Sequence, residues 1–198
     1  SYPEIETLID KVEHGVTIYK ITYNTSFKGE DVIASGLVSV PTSEGEYPVL
    51  SYQNGTNTLH SDAPSVDYDN TLFKMLESIA STGFIVTFPD YLGFGSTDNM
   101  FHPYLDKEST VQTVLDMQRA TKELVSNYLD IEMNNDLYIT GYSQGGWATM
   151  QVQKAIEQQH SAEFNLIASA CGAGPYNLNY INEYVLNLSE YPMPYYVG

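Results

Sequence analysis

LYITGYSQGGW, Leu137–Trp147, is the stretch that decides how this chain folds. Leu137–Thr140 is a short apolar run of the kind buried strands carry, and a helical pattern follows over Gly146–His160. Wedged between them is a G-x-S-x-G sequence, Gly141 to Gly145 with Ser143 at its centre. A serine so placed must occupy a tight, strained turn, and the residues two positions to either side must be small. Glycine qualifies because it has no Cβ to strike the adjoining strand and helix. The helix N-terminus beneath the serine adds the positive end of a dipole, which favours negative charge developing there. Ser143 is therefore a candidate nucleophile.

Working outward, the pattern is strands first and then helix and strand in alternation. Val16–Thr25 and Asp31–Val40 alternate apolar and polar residues and are rich in β-branched side chains, with Lys28-Gly29-Glu30 as the turn between them. Pro48–Tyr52, Phe84–Phe88 and Leu166–Cys171 are short apolar runs like Leu137–Thr140, as parallel strands covered on both faces require. Helical patterns over Asn70–Ser81 and Glu108–Leu129 separate them, the first with Phe73, Leu76, Ile79 and Ala80 on one face and Gly83 as a stop. The expectation is an α/β fold: a mostly parallel central sheet with helices on both faces, preceded by an antiparallel hairpin. Ligands bind beyond the carboxyl ends of the strands in such sheets, so the loops after the buried strands are where chemistry is expected.

Two of those loops carry signals. Tyr52-Gln53-Asn54-Gly55-Thr56 follows the run Pro48–Tyr52. An oxyanion hole needs two backbone N–H groups, one from the residue after the nucleophile and one from a loop after an earlier strand. Gln144 is the candidate for the first and Thr56 for the second, with Gly55 allowing close approach and neither side chain needed. A plain Asn-Gly turn is the alternative, weakened because no matching strand follows directly. The other loop is PDYLGFGST, Pro89–Thr97. Asp90 is expected to cap this loop through side-chain hydrogen bonds. Tyr91, at the pocket mouth, joins Tyr142 and His60 as candidate substrate contacts.

YQNGT, PDYLGFGST, GYSQGG and the later AGPYNL occur in the order and spacing of the secretory lipase/esterase family of α/β-hydrolases, which the chain resembles from about Pro48 to its end. The family's usual YQHGT has Asn54 in place of the histidine here. The resemblance implies an α/β-hydrolase and a serine esterase or lipase working through an acyl-enzyme on a small-molecule or lipid ester. It also implies that 1–178 is the N-terminal portion of the core and 179–198 the start of a cap over the acyl site. The base and its carboxylate follow the serine in such folds, in the order Ser, Asp or Glu, His. His14, His60, His102 and His160 all precede the run Leu166–Cys171. The last strands with the Asp and His are therefore expected to be missing, to be supplied by a C-terminal remainder of the same protein.

Composition narrows the classes. With 42% hydrophobic and 17% charged residues among 198, the chain can bury a core. Eight Lys and Arg against 25 Asp and Glu give a net charge of −17, an acidic protein that repels phosphate backbones and so disfavours nucleic acid as partner. No run of 18 apolar residues is present, so no integral membrane segment is expected. Ser1-Tyr2-Pro3-Glu4 has no signal-peptide character, which fits a mature secreted or periplasmic form and leaves the cytoplasm open. The lone Cys171 leaves no disulfide and no CxxC metal site, and a buried structural thiol is expected. No cofactor or metal is called for. Two other functions share these features: a serine peptidase of the prolyl-oligopeptidase kind, and a non-catalytic interaction module on the same fold.

Overall fold

A computed structural model describes residues 12–67 and 70–187. The antiparallel hairpin is β1 (Val16–Phe27) and β2 (Glu30–Pro41), paired from Val16↔Pro41 to Phe27↔Glu30. Its two-residue turn has Lys28 at φ 52° and Gly29 at φ 84°. Left-handed backbone at both positions matches the twist of the flanking strands, and glycine takes the second position without a Cβ penalty.

The remaining strands are β3 (Glu46–Gln53), β4 (Ile85–Pro89), β5 (Glu132–Tyr142) and β6 (Asn165–Gly172). The sheet order is β1-β2-β4-β3-β5-β6, with β2 antiparallel to β4 and β4, β3, β5 and β6 mutually parallel. Helices α1 (Thr71–Glu77), α2 (Lys107–Tyr128), α3 (Gln144–Ala155) and α4 (Leu178–Leu186) complete the described elements. Asp106 caps α2 by accepting from Ser109 N at 3.0 Å. A 3-10 turn, Ser78–Thr82, extends α1 and stops at Gly83 with φ 94°. The periodicity of Gly146–His160 divides into α3 and a π turn, Ile156–His160, and α3 begins two residues early, directly on Ser143.

Two cores cover the sheet. On one face Val114, Leu115 and Met117 of α2 and Trp147, Ala148 and Val152 of α3 pack with Val38, Val49, Ile85 and Ile139. The other, smaller core joins Phe73 of α1 and Ala80 to Leu37, Val86 and Phe88. Each fully buried aliphatic or aromatic side chain contributes about 1.5–3 kcal/mol of transfer free energy. The inner strands thus have both faces covered, as their continuous apolar runs require.

β6 is open among the described residues. Leu166–Cys171 was expected to be a strand buried on both faces, yet its central residues are exposed and Ile167 is 47% exposed. Among the described residues β5 is its one sheet neighbour. Cys171 is accordingly half-buried rather than a core thiol. The Tyr-rich end falls partly outside the described residues, including Tyr191, Tyr195 and Tyr196. What is described of it, α4, has no buried residue and exposes Tyr180, Tyr184 and Leu186.

Candidate active site

The elbow is built where the carboxyl ends of β3 and β5 run side by side, with Gln53 opposite Gly141. Ser143 has φ 57° and ψ −121°, a conformation that costs a residue with a Cβ on the order of 1–3 kcal/mol. Its backbone is clamped on both sides: Ser143 N donates to Gly172 O of β6 at 2.9 Å, and Trp147 N donates to Ser143 O at 3.1 Å. The glycines are fixed by close approach. A Cβ on Gly145 would strike the Gln53 carbonyl, and one on Gly141 the Gly145 carbonyl. Gly146 is held the same way against the Gly172 carbonyl. The first amides of α3 have no partner within the helix and, with its dipole, face toward negative charge.

Beneath the elbow lies a buried polar network that local sequence patterns did not indicate. Thr149 Oγ1 of α3 donates to Gln53 Oε1 at 2.8 Å, and Gln53 Nε2 donates to Ser51 Oγ at 2.7 Å. Gln118 Nε2 of α2 reaches both Ser51 Oγ and Thr87 Oγ1 at 3.0 Å. Side chains from β3, β4, α2 and α3 are thereby tied together under the serine. Breaking such a bond and stranding its buried partner costs about 1–3 kcal/mol. The signal was a polar residue, Gln53, ending a buried strand, but its partner is 96 positions away.

Gly55 lies against the serine. A Cβ there would stand 3.4 Å from Tyr142 O and 3.8 Å from Ser143 Cβ, ordinary contacts. The loop that carries Thr56 is therefore next to the candidate nucleophile. Thr56 is exposed, and its Oγ1 is 3.0 Å from Tyr104 OH. Gln144, expected to matter through its backbone alone, is also a buried side chain whose amide lies 2.9 Å from His102 Nε2.

Three candidate substrate contacts separate. Tyr142, next to Ser143, is 63% exposed and available to a ligand. His60 is exposed on the rim, its ring 5.7 Å from that of Phe94. Tyr91 is corrected: it is buried at φ 62°, and its hydroxyl donates to Asn54 O at 3.2 Å. A phenol so placed braces the Asn54–Gly55 loop from below and does not line the pocket mouth.

Asp90 is structural, yet it ties its loop to β2 and to Ser65 rather than capping the loop itself. Its carboxylate is fully buried, accepting from Ser35 Oγ at 2.5 Å and from Ser65 N at 2.8 Å. Burial pushes its pKa up, opposed by those hydrogen bonds. Gly95, at φ 58°, passes so close that a Cβ would meet the carboxylate. His102 comes from the same region of chain. Its Nδ1 is 2.7 Å from Leu92 O, and burial lowers its pKa. Among the described residues no group of three His, Cys, Asp or Glu could hold a metal ion.

A mixed sheet with a strand–turn–helix serine elbow at the carboxyl end of β5 defines an α/β-hydrolase. The secretory lipase family model matches residues 58–188, and the chain belongs to that family. A solved Legionella pneumophila protein is 30% identical with TM-score 0.81, over 89% of this chain and 47% of its own. The rice cell wall degrading esterase LipA from Xanthomonas oryzae is 29% identical with TM-score 0.79, over 91% of this chain and 49% of its own. Candida antarctica lipase A in its closed state shares the fold at 21% identity and TM-score 0.61, over 78% of this chain and 37% of its own. The chain thus spans about half the length of the first of these structures. Comparison with curated proteins gives no match. No described helix is long and apolar enough to cross a membrane.

Proposed function

We propose that this chain carries the nucleophile half of a secreted carboxylic ester hydrolase, with Ser143 as the attacking residue. The observation that carries the reading is the elbow: a serine held at φ 57° on the N-terminus of α3, with Gly145 pressed against the Gln53 carbonyl. In this reading Ser143 Oγ attacks the ester carbonyl carbon and gives its proton to a histidine base oriented by a carboxylate. The oxyanion of the tetrahedral intermediate accepts from the Gln144 and Thr56 amides, with Gly55 leaving room. The base returns the proton to the departing alcohol, and water then hydrolyses the acyl-enzyme by the same steps.

The four histidines of the chain are poor candidates for that base. His14, His60 and His102 precede Ser143 in the chain, whereas the base follows the nucleophile in this fold, and His160 closes the π turn at the far end of the helix that Ser143 begins. We assign the base and carboxylate to the part of the fold by which the solved relatives exceed this chain. By the same reasoning 1–178 is core and 179–198 the beginning of a cap, to which the exposed aromatic face of α4 is suited. The family description supports secretion. A carboxylic ester is the substrate class, as the neighbouring esterase supports.

The test is a panel of p-nitrophenyl esters and peptide anilides given to the protein as its gene encodes it, with fluorophosphonate labelling read by mass spectrometry. Ester turnover with the label on Ser143 is expected. Anilide cleavage without ester turnover would favour the peptidase reading, and an unlabelled Ser143 with no turnover the interaction module.

A further inference from the structure

We propose that the segment 101–105, which leads into α2, is a strap that positions both halves of the oxyanion hole, with His102 holding Gln144 and Tyr104 holding Thr56. The inference rests on the ester-hydrolase reading above.

The geometry makes the strap a bridge. Leu92 O can only accept, so the 2.7 Å contact puts the proton of His102 on Nδ1. In the neutral ring Nε2 is then a lone pair, and it accepts from the Gln144 side-chain amide at 2.9 Å. Two positions on, Tyr104 OH and Thr56 Oγ1 share a hydrogen bond of 3.0 Å. One short segment thus grips the residue after Ser143 and the residue after Gly55, which are 42 and 48 positions away in sequence from their partners on the strap.

The strap itself is held firmly. The His102 ring stacks on Tyr91 at 6.1 Å with an interplanar angle of 21°, and lies 4.9 Å from Phe94 and 5.9 Å from Tyr104. Gly93, at φ 90°, presses on its backbone so closely that a Cβ would stand 2.5 Å from His102 Cα. Tyr91, which stacks on His102, also bonds Asn54 O, so the oxyanion loop is gripped on both sides of Gly55. The need for such a device follows from the fold. Gln144 opens α3, where its amide has no partner within the helix, and Thr56 lies beyond the end of β3, on backbone with no ladder partners of its own. Preorganised donors stabilise a transition state only if they are already in place when charge develops. His102 and Tyr104 are therefore positioning residues, which touch no reacting atom.

The variants are His102→Gln, which restores an acceptor near Nε2, His102→Phe, which keeps a ring but no acceptor, and Tyr104→Phe, which deletes one hydroxyl. Each is made in the protein as its gene encodes it. Hydrogen exchange is followed at residues 54–57 and 143–145, and kcat and KM are measured on a p-nitrophenyl ester. Expected results are faster exchange at 54–57 in Tyr104→Phe and at 143–145 in His102→Phe. kcat should fall about tenfold to a hundredfold in His102→Phe, with KM nearly unchanged and His102→Gln retaining most activity. Tyr104→Phe should lose about threefold to tenfold. Unchanged exchange in Tyr104→Phe and His102→Phe would overturn the strap whether or not the protein hydrolyses esters. Faster exchange with unaltered kcat, or His102→Phe outperforming His102→Gln, would overturn its role in the oxyanion hole. If His102→Phe does not fold, Tyr104→Phe alone decides by the same two readings. A wild type no faster than Ser143→Ala would fail the ester-hydrolase reading itself and, with it, the catalytic role of the strap, while exchange still decides the contacts.

Discussion

Gly145 lies directly on the Gln53 carbonyl, leaving no space for even a methyl group. The contact joins the first turn of α3 to the end of β3, and thereby sets the distance between the serine and the Gly55 loop. Gly145→Ala should destabilise the fold by about 3 kcal/mol, as overpacking against rigid backbone does. Urea titration would read this as a lower midpoint at constant slope. A midpoint equal to wild type would mean that the two backbones are free to separate.

Gly55, in the loop that faces this turn, is the counterexample. A Cβ there meets only ordinary contacts, at 3.4 and 3.8 Å, and no left-handed backbone is required. Gly55→Ala should change stability by less than about 1 kcal/mol. Gly55→Val should also fold, yet it crowds the space over Ser143 Cβ and should lower kcat/KM for esters at least tenfold. Loss of activity together with loss of folding would show instead that the branched side chain displaces the loop.

Ser143 combines a strained backbone with the proposed role of nucleophile. Ser143→Ala should lower kcat by several orders of magnitude, as removal of a triad member does. Ser143→Gly should be equally inactive but more stable by about 1 kcal/mol, since glycine accepts φ 57° without penalty. A thermal melt of the two variants side by side separates strain from chemistry. A glycine variant less stable than the alanine one would argue against stored strain at the elbow.

Asp90 should give the fold a pH dependence. Its pKa is raised by burial, so over the window from about 4 up to its folded value the native state binds more protons than the unfolded one. Its contribution to stability is therefore largest below about pH 4 and declines as pH rises through that window. Asp90→Asn has no such titration, so the variant should gain on wild type as pH increases across it. Parallel stability curves for the two proteins would mean that the Ser35 and Ser65 bonds fully offset burial.

How much of this was legible in the sequence can be followed residue by residue. The Lys28-Gly29 turn, the stop at Gly83 and the glycine-flanked serine depend on neighbours a few positions apart, and those are written in order along the chain. Alternating and continuous apolar runs likewise give strand type and sheet class, because periodicity reports which faces are covered. The burial of Tyr91, the Thr149–Gln53–Ser51–Gln118 network and the two grips of His102 and Tyr104 were decided by the tertiary structure alone. A buried glutamine cannot name a partner 96 positions away. The sequence determined that a serine would be presented on a strained turn at the end of a parallel strand. Which residues hold that turn and the loop facing it depends on how β3, β5, α2 and α3 meet in space, since a hydrogen bond is decided by distance and direction.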